Sequence, residues 1–116
     1  ASPQDVFPHY SAMKAGLSNL TVSLAQTLAP DKILVNSISP GPVWSKSWED
    51  EVRNSGSDFE QTKKEIMEQT GKTVPLNRMG MPEDLTGLAL FLASDSSSWI
   101  TATNFTVDGG VTRNPF

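Results

Sequence analysis

Lys32-Ile33-Leu34-Val35-Asn36-Ser37-Ile38-Ser39-Pro40-Gly41-Pro42 is the stretch that decides the fold. Ile33, Leu34, Val35 and Ile38 make a short, nearly continuous apolar run rich in β-branched residues. It is too short for a helix and does not alternate, so Lys32 to Ile38 reads as a strand buried on both faces, as in a parallel sheet. Ser39-Pro40-Gly41-Pro42 ends that strand abruptly, because proline fixes φ and lacks an N–H. A helical pattern precedes it. A helix followed by a doubly buried strand is half of a βαβ unit, which puts the chain in the α/β class. Open α/β sheets bind ligands beyond the carboxyl ends of their strands, so a ligand site is expected at the Pro-Gly turn.

Upstream, residues 1–8 read as a loop with prolines at 3 and 8, and roughly 9–28 as a helix. Leu17, Leu20, Leu24 and Leu28 recur at helical spacing and make one apolar stripe. Ala12, Ala15, Gly16 and Ala25 are small enough to admit a close neighbour, and Ala29-Pro30-Asp31 stops the helix. At its start lies Tyr10-Ser11-Ala12-Met13-Lys14. Residues four apart leave one face of a helix together. An ammonium beneath a phenol favours the phenolate and lowers the phenol's pKa, so Tyr10 with Lys14 is a candidate acid/base pair.

Downstream, residues 43–57 look irregular and hold Trp44, Trp48 and Glu49-Asp50-Glu51. A weak helix follows at about 58–70, where Asp58 and Gln61 resemble a capping box. Gly71 to Met81 is a connector. The next helix is well signalled, with Pro82 at its first position, Glu83 and Asp84 in its first turn, and Leu85, Leu88, Ala89 and Leu92 on one face. Asp95 to Ser98 reads as a turn and Thr103 to Val107 as a last strand, closed by Asp108-Gly109-Gly110. There is no internal repeat.

Composition narrows the function. The chain has 116 residues, a formal charge of −4 and no cysteine. One small domain is the natural reading of that length. The acidic balance argues against a nucleic-acid partner. Without cysteine, and with His9 as the single histidine, no disulfide, thiol nucleophile or multi-histidine metal site exists; no metal is expected. The longest apolar run, Leu88 to Ala93, is far short of a membrane span, and no signal-peptide pattern is visible, so a cytoplasmic setting is the expectation. Ala1-Ser2-Pro3 reads like the middle of a loop, so the chain is expected to begin inside a longer protein.

Taken together, these motifs resemble the carboxyl-terminal half of a short-chain dehydrogenase/reductase. Tyr10-Ser-Ala-Met-Lys14-Ala is similar to that family's Tyr-x-x-x-Lys helix, and Val35 to Val43 to its strand and Pro-Gly turn. Arg78-Met-Gly80-Met-Pro82-Glu83-Asp84 resembles the entry to its last long helix. Phe91 to Asp95, Ile100-Thr101 and Val107-Asp108-Gly109-Gly110 resemble its carboxyl-terminal signature. The motifs stand in the family's order, cover nearly the whole chain, and match 3-oxoacyl-carrier-protein reductases as well as sugar, steroid and polyol dehydrogenases.

The resemblance implies a fold and a chemistry. Residues 1–116 would be the carboxyl-terminal part of one Rossmann-like, doubly wound, three-layer domain, incomplete without its amino-terminal half. The parent would be an NAD(P)-dependent oxidoreductase moving hydride between a nicotinamide and a secondary alcohol or ketone. Tyr10 would exchange the proton, and Lys14 would assist it and hold the nicotinamide ribose. Pro40, Gly41 and the backbone of Val43 would hold the carboxamide, with Ser45 standing where the family often has threonine. Residues 43–70 would be the substrate loop region. Trp44 and Trp48 would line the substrate pocket or else anchor the loop on the core or at a subunit interface. The family also implies a dimer or tetramer.

The departures are equally informative. No glycine-rich G-x-G-x-x-G turn occurs, so the phosphate cradle and the residue that separates NAD from NADP are not in this sequence. The family's catalytic serine would fall before Ala1. The alternative reading is therefore a non-catalytic piece, an assembly module or a remnant, exposing the Leu17–Leu28 stripe and the faces of Ile33–Ile38. His9 reads as a solvated or capping residue or a substrate contact, Glu49-Asp50-Glu51 as a solvated loop face rather than a cation site, and Arg78 as the ion-pair partner of Glu83 or Asp84 rather than a phosphate contact.

Overall fold

The structure is a computed structural model that describes the backbone of residues 8–112 and the side chains of residues 12–112. In chain order it contains α1 (Pro8–Leu28), a 3-10 turn (Ala29–Asp31), β1 (Ser37–Pro40), α2 (Lys46–Asn54), α3 (Phe59–Gly71), α4 (Glu83–Leu92), a second 3-10 turn (Asp95–Ser97) and β2 (Asn104–Val107). β1 and β2 form a two-stranded sheet. The N–H of Ser37 donates to the carbonyl of Thr103 (3.0 Å) and that of Gly41 to the carbonyl of Val107 (2.9 Å). Both partners advance together, so the strands are parallel. The chain divides into two compact units, residues 1–38 with 91–105 and residues 39–90 with 106–116.

In the first unit, α1 buries its small side chains rather than its leucines. Thr21 and Ala25 are buried, with Lys14, Ser18 and Leu28 half-buried on the same stripe. The Thr21 hydroxyl donates to the carbonyl of Leu17 one turn back (3.0 Å), which removes its need for water. Leu17, Leu20 and Leu24 are 58%, 53% and 42% exposed, as the sequence led us to expect for this chain alone. Pro30 in the 3-10 turn and Lys32 at φ 63° close the helix.

The expected strand at Lys32–Ile38 begins later, at Ser37. The physical reason is that side chains replace the ladder just upstream. The N–H of Val35 donates to the Thr101 hydroxyl (3.0 Å), the amide of Asn36 donates to the carbonyl of Ile100 (3.1 Å), and its oxygen accepts from the N–H of Thr103 (3.1 Å). The C-terminus of α4 is closed by Ser97, which is fully buried and donates to the carbonyls of Leu92 and Ser94, both 3.0 Å away. The Leu92 carbonyl is one that a helix end leaves without an internal partner.

In the second unit, residues 43–57 are not irregular throughout: they carry α2. Trp44 and Val52 fall eight residues apart and bury against Met79, with Phe59, Ile66, Met67 and Met81 around them. The Asp58 carboxylate accepts from the N–H of Gln61 (3.0 Å), so α3 starts where its cap predicts. Among the described residues the reciprocal half of a capping box does not form; the Gln61 side-chain NH₂ donates to Glu65 (3.0 Å). Among the described residues, no helix is long and apolar enough to cross a membrane.

Candidate active site

The second unit contains the Pro-Gly turn, directly after β1. Gly41 is pinned against the end of β2: a Cβ there would lie 2.4 Å from Asp108 Cβ and 2.7 Å from Asp108 Cα. Only glycine fits so close an approach. Asp108 is itself held fast, accepting from the N–H groups of Gly110 and Thr112, each 2.9 Å away, and from the Thr112 hydroxyl. Burial works to raise the Asp108 pKa, but these hydrogen bonds prevail and hold it below the usual carboxylate range. Gly109, at φ 64°, completes the turn.

Two residues on, Val43 forms an isolated parallel bridge with Gly80. Gly80 supplies both bonds: its N–H donates to the carbonyl of Pro42 (2.8 Å) and its carbonyl accepts from the N–H of Trp44 (2.9 Å). Backbone groups alternate in direction along an extended chain, so the N–H and C=O of Val43 point away from Gly80. Neither has a partner among the described residues. Together they offer one donor and one acceptor on one residue. A primary carboxamide presents an acceptor oxygen and an NH₂ donor, so a group of that kind would fit this ledge in chemistry. A small cleft of about 170 Å³ has Pro42, Val43, Arg78, Gly80, Asp84 and Asp108 among its lining residues.

Gly80 is positioned by a neighbouring ion pair. Arg78 grips Asp84 with two bonds of 2.8 Å, and Asp84 Oδ2 also accepts from the N–H of Met81 (2.7 Å). Such two-pronged pairs fix geometry as well as charge. The Arg78 guanidinium, with the N–H of Met81, holds the Asp84 carboxyl well below the usual range. Of the two partners the sequence offered Arg78, the structure uses Asp84.

The other expected site residues fall out differently. Ser45 caps α2, its hydroxyl accepting a long bond from the N–H of Trp48 (3.5 Å). Trp44 is 5% exposed and anchors the core, while Trp48, 38% exposed, stacks on it with ring centroids 6.4 Å apart. Glu49 and Asp50 are not on a loop: they lie on α2 and pair with Arg53 and Lys46 one turn away. Pro40 is exposed at the strand end.

Lys14 lies in the first unit, half-buried on the stripe of Thr21 and Ala25. The backbone of Tyr10 is helical and four positions earlier on α1. The side chains of Tyr10 and His9 lie outside the described residues.

One feature escaped the sequence reading. A cleft of about 670 Å³ runs along α3, with Met67, Met79 and Met81 lining it beside Lys63, Lys64 and Lys72. Its signal was present, since positions 60, 63, 64, 67 and 71 share a helical face. Lys63 stands 5.1 Å above the Trp44 ring there.

Known proteins agree on the family. The sequence model described as Enoyl-(Acyl carrier protein) reductase matches residues 2–112. An uncharacterized oxidoreductase of Mycobacterium tuberculosis is 43% identical over 101 residues, which is 87% of this chain and 37% of that protein. A sorbitol dehydrogenase of Cereibacter sphaeroides is 42% identical over 102 residues, 87% of this chain and 40% of that one. The NADPH-bound structure of a short-chain oxidoreductase from Pseudomonas aeruginosa, described as having an atypical catalytic center, superposes with a TM-score of 0.73 at 32% identity, covering 90% of this chain and 38% of that one. The chain thus spans about two-fifths of the length of the relatives it matches. Its α/β fold with a parallel strand pair is part of their Rossmann fold. By its sequence match over residues 2–112 and by its fold, the chain belongs to the short-chain dehydrogenase/reductase family.

Proposed function

We propose that the full-length protein carrying this sequence is an NAD(P)-dependent oxidoreductase acting on a secondary alcohol or a ketone. The observation that carries the reading is the span of the family match, residues 2–112, which takes in Tyr10, Lys14 and the Pro40–Val43 turn together. The continuity of α1 from Pro8 to Leu28 supports it, because it keeps positions 10 and 14 one turn apart on one helix. The chain would be the carboxyl-terminal half of a single Rossmann domain, with residues 43–70 forming the substrate loop region.

In this reading a bound nicotinamide supplies or accepts the hydride. The protein's own groups handle the rest. Tyr10 Oη takes the hydroxyl proton when an alcohol is oxidised and returns it when a ketone is reduced. The Lys14 ammonium favours the phenolate of Tyr10 and hydrogen-bonds the ribose. The N–H and C=O of Val43 hold the carboxamide, and Pro40 and Gly41 shape the turn beneath it. The Ser45 hydroxyl adds a contact, and the exposed side of Trp48 meets the substrate, with Trp44 fixing it from below. A sorbitol dehydrogenase among the relatives makes polyols the first substrates to try.

A test incubates the full-length protein with NAD⁺ or NADP⁺ and a panel of secondary alcohols, polyols included. Growth of the reduced-nicotinamide absorbance with any of them supports the reading. No turnover in either direction with any alcohol or its ketone contradicts it.

A second reading applies to the 116-residue polypeptide by itself. Met13, Leu17 and Leu20 are 72%, 58% and 53% exposed on α1. Apolar surface of that kind favours association, with the amino-terminal half or with another copy in a dimer or tetramer.

A further inference from the structure

We infer that Arg78 and Asp84 are positioning residues for the nicotinamide amide, acting through Gly80 on Val43. This rests on the reading of Val43 as the carboxamide ledge.

Val43 presents its N–H and C=O outward only because Pro42 and Trp44, on either side, are both bonded to Gly80. Gly80 therefore bonds the backbone on both sides of the ledge and helps to set its direction. It also lies close against the ledge: a Cβ on Gly80 would fall 3.0 Å from Val43 Cγ2 and 3.3 Å from the Pro42 carbonyl, so a side chain there would push the two segments apart. The position of Gly80 depends in turn on the residues flanking it. Arg78 precedes it by two and donates to the carbonyl of Met79 (3.3 Å) as well as to Asp84. Met81 follows it and donates its N–H to Asp84 (2.7 Å). One carboxylate thus ties down both sides of Gly80, and the guanidinium fork holds that carboxylate in plane. The Asp84 N–H, donating to the carbonyl of Met81 (2.9 Å), closes the turn from the other end. The buried Met79 side chain anchors the same segment in the core.

Neither Arg78 nor Asp84 has to touch the cofactor in this scheme. Breaking the pair frees Gly80 to drift, and the two bonds that aim Val43 loosen together. The loss falls on the nicotinamide end of the dinucleotide and spares the rest. Lysine cannot replace Arg78 fully, because an ammonium lacks the planar fork that grips both carboxylate oxygens.

The experiment measures, by titration calorimetry on the full-length enzyme, the affinities for its preferred reduced dinucleotide, NADH or NADPH, and for ADP-ribose (carrying the 2′-phosphate where the dinucleotide is NADPH), which is the same molecule without its nicotinamide. In Asp84→Asn and in Arg78→Lys the dinucleotide should weaken about tenfold, the size of one to two lost hydrogen bonds, while ADP-ribose stays within about twofold. Equal weakening of both ligands, or of neither, overturns the positioning role. If the unaltered enzyme binds the two ligands equally well, the ledge reading of Val43 is wrong instead. Should Asp84→Asn fail to fold, Arg78→Lys alone decides between these results.

Discussion

Gly41 has no room for a side chain. Its Cβ would fall inside the contact radius of Asp108, on backbone as well as side-chain atoms. Gly41→Ala should therefore destabilise the protein by about 1–3 kcal/mol, the usual cost of overpacking, measured as a lower urea midpoint. An unchanged midpoint would show that the turn relaxes freely. Asp84 and Asp108 make a separate prediction about acid. Both carboxyls are held below their ordinary range in the folded state. A depressed folded pKa means that the stabilisation is complete above the unfolded value, near ~4, and is lost as pH falls through the folded one. Stability should drop on acidification below about pH 4, and Asp84→Asn should flatten that profile. A parallel profile in the variant would contradict the assignment. Some of this was legible in the sequence. Arg78 beside Glu83 and Asp84 announced an ion pair. The clamp on Gly80 was not, because it depends on which backbone groups point where.

At the scale of elements, α2 was missed. Its stretch Lys46–Asn54 is dominated by charge, and its apolar members are only Trp48 and Val52. Helical periodicity needs more apolar positions than that to stand out. Trp44, Trp48 and Val52 at intervals of four, with Lys46–Asp50 and Glu49–Arg53 pairs between them, were the signal available. Val52 is 3% exposed, so Val52→Ala should cost about 1–3 kcal/mol in a denaturation curve. A cost near zero would mean that the Trp44 core closes over the space. The cap of α3 was legible because a cap is a local rule: Asp58→Ala should cost about 1 kcal/mol. β1 starts later than its apolar run predicts, because Asn36 and Thr101 satisfy the backbone there with side chains. That bonding joins residues more than sixty positions apart, which no local pattern encodes.

At the scale of the molecule, the exposed leucines of α1 are the main consequence of how much of the fold this chain represents. The apolar stripe was plain in the sequence, but what covers it was not. The 116-residue polypeptide by itself should self-associate as concentration rises, and light scattering should show Leu17→Lys with Leu20→Lys reducing it. A monomer at all concentrations would contradict this. The same polypeptide should bind NADH and NADPH weakly, since no glycine-rich turn is present in it. Micromolar affinity in a titration would overturn that expectation. The central claim is that Tyr10 moves the proton in a nicotinamide-dependent reaction. Its most direct test is Tyr10→Phe in the full-length enzyme, with kcat and dinucleotide affinity measured on the same sample. The account predicts a fall in kcat of about 10²–10⁴-fold, the reach of general acid–base catalysis, with dinucleotide affinity nearly unchanged. A kcat close to that of the unaltered enzyme would contradict it.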